Sequence, residues 1–319
     1  MAVWITMRYF VTGGAGFIGS HLVDRLMEDG KFSVTVYDNL SSGKKEFIAG
    51  HFGKKDFSFV KGDLLDEKHL ALAISGHDFV FHLAANPDIR LGTANPDTDL
   101  RQGTLATFNL LDAMRTAGIR KVAFSSSSVV YGEASRIPTP EDYGPLIPIS
   151  LYGAAKLGAE GLITSFCHTF DLQSWIFRFA NVIGERSTHG VIFDFIKKLR
   201  RDPAQMEILG NGKQRKAYLL VDDCVDAMLY VTRHARDGVN IFNLGCEDTV
   251  NVVRIAEMLV EEMDLGNVKF RFTGGERGWK GDVRTMLLSI DRLKALGWRP
   301  RTTSEEAVRA AIKAGLGKK

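Results

Sequence analysis

Three cysteines in 319 residues, Cys167, Cys224 and Cys246, are too few and too scattered for a disulfide framework. No CxxC pair or other metal-ligand spacing occurs, so no metal site is expected. That cysteine usage fits a reducing cytoplasm, the compartment expected here. No apolar run approaches the ~20 residues a membrane-spanning helix requires. Charge of one sign is also lacking. Lys and Arg number 41 against 38 Asp and Glu, a net +3, which makes no electrostatic case for nucleic acid or an anionic membrane. Internal repeats and low-complexity segments are absent. Met1–Thr6 carry no signal-peptide pattern. Met7 reads as the natural start of the first strand, and residues 1–6, Trp4 included, are expected to be dispensable.

What remains is a globular chain, 45% apolar and 25% charged, which excludes disorder. Its length suits one large or two modest domains. Strands are expected at Arg8–Thr12, Val34–Tyr37, Phe57–Val60, Phe79–Leu83, Val122–Phe124 and Trp175–Phe179. Helices are expected at Phe17–Asp29, Asp97–Ala117 and Ser150–Phe170. This alternation predicts an α/β fold with a doubly wound parallel sheet of Rossmann type. After Asn181 the order loosens. Helices near Val191–Arg200, Asp222–His234 and Asn251–Met263 and a strand Asn240–Leu244 follow, then a last helix opened by a Thr303/Glu306 capping box. Residues 1–180 are therefore assigned to a dinucleotide-binding domain, to which 214–245 return. Residues 181–213 and 246–319 form a smaller, interrupted α/β substrate domain.

The first strand runs into Gly13-Gly14-Ala15-Gly16-Phe17-Ile18-Gly19, a GxxGxxG spacing, and a helix follows. Glycines there let the backbone approach a pyrophosphate, and the helix start offers unpaired N–H groups and a positive dipole end. Asp38 ends the second strand roughly 20 residues further on, where an acid bonds ribose hydroxyls. It would repel a 2′-phosphate, so NAD is favoured over NADP. Asp63, ending the third strand, is placed to bond the adenine amino group.

Tyr152 and Lys156 lie four apart on an expected helix and share a face. A free phenol, with a pKa near ~10, is a poor base at neutral pH. An ammonium beside it, together with a positive nicotinamide, favours the phenolate. Ser125-Ser126-Ser127-Ser128 leave the fifth strand at its carboxyl end, the side on which such sheets bind ligands.

These features resemble the extended short-chain dehydrogenase/reductases, and within them the UDP-glucose (UDP-galactose) 4-epimerase group. The resemblance rests on Thr12–Gly19, Asp38–Gly43, His82-Leu83-Ala84-Ala85, Phe124–Gly132 and Tyr152-Gly153-Ala154-Ala155-Lys156. It continues through Arg178–Gly184, Gly210–Val221, Asn243-Leu244-Gly245, Gly281-Asp282-Val283 and Leu296–Pro300, so it covers nearly the whole chain from Met7. It implies that Tyr152 is the acid/base, Lys156 its electrostatic partner and Ser127 the assisting hydroxyl. The cofactor residues it implies are Gly13, Gly16, Phe17, Ile18, Gly19, Asp38, Asn39, Ser41, Ser42, Gly43, Asp63, Leu64, Leu83, Ala84, Ala85, Pro87, Ser125, Tyr152, Lys156 and Phe179. For the nucleotide sugar it implies Ser127, Tyr152, Asn181, Val191, Ile192, Leu209, Arg215, Lys216, Arg277, Asp282 and Met286. Asn181 would hold the diphosphate, and Val191, Ile192 and Leu209 would line the uracil pocket.

The chain departs from the family pattern at three places. Lys216, with Arg215 adjacent, stands where the family often has arginine. Trp279 replaces the arginine usually found three residues before Asp282, which leaves Arg277 as the candidate diphosphate ligand. The asparagine of the long helix is replaced near Gln102-Gly103. Met286 falls where some relatives carry tyrosine beside the sugar, so tolerance of N-acetylated sugars is expected.

The reaction implied is inversion at sugar C4 through a 4-keto intermediate with retained NAD. Dehydratases and decarboxylases of the family typically place an acid directly after the catalytic hydroxyl. Ser127 is followed by Ser128, Val129 and Val130, so simple epimerisation is preferred. Epimerases of N-acetyl or uronic sugars, and a non-catalytic NAD-binding protein, are the alternatives. His82 reads as a packed strand-end histidine and His189 as a turn residue. A homodimer through Asp97–Ala117 and Ser150–Phe170 is implied by the relatives. Leu105, Leu110, Leu111, Leu162, Ile163 and Phe166 are available for either core or interface.

Overall fold

The computed structural model describes residues 7–88, 91–278 and 281–318, without the side chains of Leu91 and Thr93. Met1–Thr6, with Trp4, and Trp279 lie outside the described residues. The chain divides into two compact units. The first comprises residues up to Ser126, Ser150–Phe177 and Thr232–Ile241; the second comprises Ser127–Ile149, Arg178–Val231 and Phe242 onward.

The large sheet uses β1 (Arg8–Thr12), β2 (Ser33–Asp38), β3 (Phe57–Lys61), β4 (Phe79–His82), β5 (Lys121–Ser127), β6 (Gln173–Phe179) and the strand Val239–Leu244. Its order is Val239–Leu244, β6, β5, β4, β1, β2, β3. Parallel pairing joins β1 to β2 and β4, β2 to β3, and β4 to β5. This is the doubly wound Rossmann arrangement that strand–helix alternation predicted. Helices α1 (Phe17–Glu28) and α2 (Glu67–Ile74) cover it; α1 buries Leu22, Val23 and Leu26. Asp66 caps α2 by accepting from the His69 N–H, a helix the sequence reading had not marked.

Phe10, Tyr37, Val80, Leu110, Leu111, Phe124 and Ile163 belong to one continuous core. Each such side chain contributes about 1.5–3 kcal/mol on burial. Leu110, Leu111 and Ile163 thus go to the core, whereas Leu105 stays exposed. Trp175, fully buried, stacks on Phe79 at 5.2 Å and donates its indole N–H to the Ala235 carbonyl at 3.2 Å. In the second unit Ile192, Phe195, Ile208, Ile255, Leu259 and Val308 form a separate core. The Thr303/Glu306 capping box and the Asn251 N-cap are both present.

Two boundaries differ from the sequence reading. Ser127–Ile149 and all of 214–231 group with the second unit, and of the segment 214–245 only Thr232–Ile241 belongs to the first. Within that unit Tyr131 donates to Asn243 at 2.7 Å, and Arg178 donates to Tyr131 at 3.0 Å and to the Glu141 carbonyl at 3.1 Å. Those buried polar bonds fix the segment where it is. The expected helix Asp97–Ala117 is also interrupted: one turn of π-helix, Leu100–Leu105, separates Asp97–Asp99 from Ala106–Thr116. Gly103 comes so close to Ala155 that a Cβ would lie 2.9 Å from the alanine methyl. The Thr107 hydroxyl donates to the Gly103 carbonyl, and Thr104 donates to the Ala155 carbonyl at 3.3 Å. The widened turn is held by these hydroxyls, and such turns recur at functional sites.

His82, at the end of β4, is buried with Nδ1 2.8 Å from the Thr12 hydroxyl and Nε2 3.0 Å from that of Thr107. Burial, aided by the Lys156 charge, pushes its pKa down to about 3. Between the ordinary value of 6.5 and about 3 the unfolded chain binds a proton that folded His82 refuses. Stability therefore falls as the pH drops through that window, by up to about 1.4 kcal/mol per pH unit for one group. The urea midpoint is expected to decline less steeply in His82→Gln than in the wild type over this window. Equal slopes would contradict the assignment.

Candidate active site

In the first unit β1 delivers the glycine loop beside β4. The Gly13 N–H donates to the Tyr37 carbonyl at 3.0 Å, and its φ is +69°. A Cβ on Gly13 would meet the Ala84 nitrogen at 2.6 Å, and one on Gly19 would collide with the Gly13 carbonyl oxygen. Side chains are thus excluded from a cradle that ends on the helix start at Gly16. A pyrophosphate fits such a cradle: close backbone, N–H donors and the positive end of α1.

Asp38 closes the other side. Its Oδ2 accepts from the Ala15 N–H at 3.0 Å and its Oδ1 from the Leu40 N–H at 2.8 Å. Burial raises its pKa, against those two donors. Each oxygen keeps a lone pair for a ribose hydroxyl. Gly43 backs onto it, since a Cβ there would lie 2.9 Å from Oδ1. Asp63 is tied to Asn39, whose Nδ2 donates to it at 3.0 Å, and Asn39 Oδ1 accepts from the Ser41 N–H at 2.9 Å. Ser42 is exposed beside them and Leu64 is buried below. Leu83, Ala84 and Ala85 are half-buried after β4, and Pro87 is exposed. Phe179 ends β6 and is buried.

The helix Leu151–Phe170 starts on Ser150, whose hydroxyl accepts from the Gly153 N–H at 3.1 Å. Tyr152 and Lys156 share its face, with the ammonium 5.6 Å from the phenol ring centre. Lys156 is buried and donates to the Ser125 carbonyl at 2.6 Å, and it lies 4.7 Å from the Phe124 ring centre. The Ser125 hydroxyl donates to the His82 carbonyl at 3.2 Å, and that of Ser126 donates to buried Glu160. Burial lowers the Lys156 pKa to about 7, opposed by Glu160 and then Asp99. Tyr152 moves upward, pushed first by burial and then by the Asp99 carboxylate. The sequence reading had a lowered phenol. On the chain's own groups the lysine charge does not prevail, because burial weakens it as well. Ser127 ends β5 and accepts from the Val129 N–H at 3.4 Å, which leaves its hydrogen available to donate.

The second unit gathers another set. Lys216 Nζ is 2.5 Å from Asp282 Oδ1, and the Gly278 N–H donates to Asp282 Oδ2 at 3.1 Å. Leu209 is exposed near Gly278, and its carbonyl accepts from Gln214 at 3.1 Å. Met286, buried, pairs with Lys216 across two short strands. Arg277 is held by Glu133 at 2.8 Å. Asn181 donates its amide to the Ala217 carbonyl at 3.3 Å. Ile192 points into the core with Val191 packed against it. Arg215 follows the strand alternation away from Lys216 and donates to Thr249. The two adjacent cations implied for the nucleotide sugar therefore face opposite ways.

Glu160 was missed although its signal was present: it lies one turn beyond Lys156 on the same helix. Asp99, Glu133 and Gln214 carried no sequence signal, because only the fold brings them to the site residues.

A family model described as the NAD dependent epimerase/dehydratase family matches residues 9–245. The chain belongs to that family. Its cofactor is accordingly NAD, which suits the glycine cradle and Asp38. The chain is 32% identical to the UDP-glucose 4-epimerase of Mycolicibacterium smegmatis over 96% of this chain and 97% of that protein. A crystal structure of a UDP-galactose 4-epimerase is 42% identical, with a TM-score of 0.87 and 98% and 99% of the two chains covered. The UDP-N-acetylglucosamine 4-epimerase of Methanobrevibacter ruminantium, solved with UDP-N-acetylmuramic acid, is 29% identical at a TM-score of 0.87, covering 98% of each chain.

Removing the charge of Asp38 tests the ribose assignment. In Asp38→Asn the discrimination against NADP, measured calorimetrically as the ratio of the NADP to the NAD Kd, is expected to fall about tenfold, ~1.4 kcal/mol. An unchanged ratio would contradict it.

Proposed function

We propose that this protein interconverts UDP-glucose and UDP-galactose by inverting the C4 hydroxyl. The observation that carries the reading is the pairing of a single proton-transfer group, Tyr152, with a lysine anchored on the Ser125 carbonyl. No carboxylate follows Ser127 in Ser128-Val129-Val130. That equipment suits one proton and one ketone, with no acid directly after Ser127 for loss of water or carbon dioxide.

The cradle of Gly13, Gly16 and Gly19, with Asp38, would hold NAD, which when bound would supply a hydride acceptor for C4 and a positive charge that favours the phenolate. Tyr152 then takes the proton of the 4-hydroxyl, and the Lys156 ammonium stabilises the oxyanion form of the phenol. Ser127 donates to the sugar oxygen. After the 4-keto sugar turns over, Tyr152 returns the proton on the opposite course. Lys216, Asp282, Asn181 and Arg277 are assigned to the nucleotide diphosphate and ribose, and Leu209 and Val191 to the base. Arg277 must exchange Glu133 for the diphosphate. A homodimer through the helical segment 97–116 and the helix Leu151–Phe170 belongs to the same proposal; Leu100, Leu105, Phe108 and Leu151 are exposed there.

Met286 favours a second reading, because a flexible thioether beside Lys216 leaves room where a tyrosine would fill it. Purified protein supplied with UDP-galactose and no added cofactor is expected to form UDP-glucose, by chromatography, and Tyr152→Phe to lose at least about a hundredfold in rate. Conversion of UDP-N-acetylgalactosamine instead would assign the N-acetyl substrate. Turnover by neither, with NAD added, would reject the 4-epimerase reading.

A further inference from the structure

The buried groups around Tyr152 carry more negative charge than its proton transfer uses. Asp99 is only 2% exposed, and its Oδ1 accepts from Asn86 Nδ2 at 3.0 Å. Among the described residues no donor reaches its Oδ2. Gly92 walls that oxygen: a Cβ on Gly92 would collide with it and would lie 3.5 Å from the Cβ of Leu151, the residue before Tyr152. The unsatisfied carboxylate oxygen therefore stands against the first turn of the Tyr–Lys helix. On that helix Glu160, also buried, accepts from Ser126. Among the described residues Lys156 is the cation of this group. His82 sits between two threonine hydroxyls with its proton affinity pushed far down, and so is neutral. Among the described residues two buried carboxylates face one buried ammonium. An excess buried charge with an unfilled acceptor is costly unless something of opposite sign completes it.

We propose that Asp99 is the counter-charge for the oxidised nicotinamide, biasing bound cofactor toward its positively charged form. The inference rests on the reading that Tyr152 and Lys156 serve the nicotinamide. Reduction adds an electron pair and a hydrogen to the ring and removes its positive charge. The attraction to Asp99 is then lost, so the reduced form gains nothing from the carboxylate. For an epimerase this bias has a use. The 4-keto sugar recovers its hydrogen only if the reduced cofactor gives it back, and a site that disfavours the reduced form hurries that return. It also limits enzyme stranded with reduced cofactor after the ketone escapes. The Asp99 charge raises the pKa of Tyr152, after burial, and opposes the fall of that of Lys156.

The test uses the holoenzyme. Wild type, Asp99→Asn and the surface control Asp112→Asn are equilibrated against a redox mediator of fixed poise. The ratio of reduced to oxidised bound cofactor is read by dihydronicotinamide fluorescence. The amide of Asp99→Asn keeps an acceptor for Asn86, and Asp99→Ser removes the same charge if the amide variant fails to fold. The ratio is expected to rise about tenfold in the Asp99 variants, the order for one charge at an effective dielectric constant near 20, and to stay unchanged in Asp112→Asn. A purely structural role would loosen both cofactor forms alike and leave the ratio alone. A ratio within about twofold of wild type, with NAD bound, overturns the inference alone. A wild-type protein that binds no NAD overturns the functional reading and this inference with it.

Discussion

Lys156 is an ammonium with almost no access to water, and a charge so placed must be paired and hydrogen-bonded. Its bond to the Ser125 carbonyl joins the Tyr–Lys helix to β5, and the Ser126–Glu160 bond repeats the join on the next residue of the strand. Tyr152 inherits its position from these two bonds. Gly103 and Ala155 make the third contact, bringing the widened turn of the neighbouring helix against the same backbone. A longer residue at either position would separate the helices and move the phenol. Burial makes the bonds obligatory and also lowers the pKa of the lysine to about 7.

The nucleotide half of the chemistry was legible in the sequence because its constraints are local. Gly13, Gly16 and Gly19 must lack side chains for the chain to turn and approach a phosphate, and Asp38 must end a strand. Both statements are about spacing. Tyr152 and Lys156 were legible for the same reason, since one helical turn fixes their common face. The capping residues Asn251 and Thr303 belong to this class as well. Asp99 and Glu133 are different. Each matters through a neighbour distant in sequence, and nothing in the local pattern marks a carboxylate that folding will bury or a glutamate that will meet Arg277. The two-residue strand Arg215–Lys216 was likewise hidden, because so short an element has no periodicity to read. Its pairing is what turns Arg215 away from Lys216. The interruption at Leu100–Leu105 was invisible too, since apolar spacing does not distinguish a π turn from an α turn.

The second unit shows how charge is stored where a charged ligand is proposed to bind. Lys216 and Asp282 occupy one another, as do Arg277 and Glu133. The half-exposed Arg277–Glu133 pair holds little free energy, typically under about 1 kcal/mol, whereas the Asp282 carboxylate is buried. Both pairs keep their cations ordered, and the Arg277 pair is easily exchanged for a stronger anion. A diphosphate offers several oxygens of higher charge density than a carboxylate, so the exchange favours the ligand. The first unit works the other way: its charges are buried, costly to disturb and fixed in place.

The account requires that the hydrogen at C4 leave and return within one enzyme-bound cycle. Conversion of UDP-galactose labelled with deuterium at C4, in ordinary water without added NAD, tests that requirement most directly. Retention of the label at C4 of the UDP-glucose formed is the expected result. Washout into solvent, or retention only when free NAD is supplied, would contradict it.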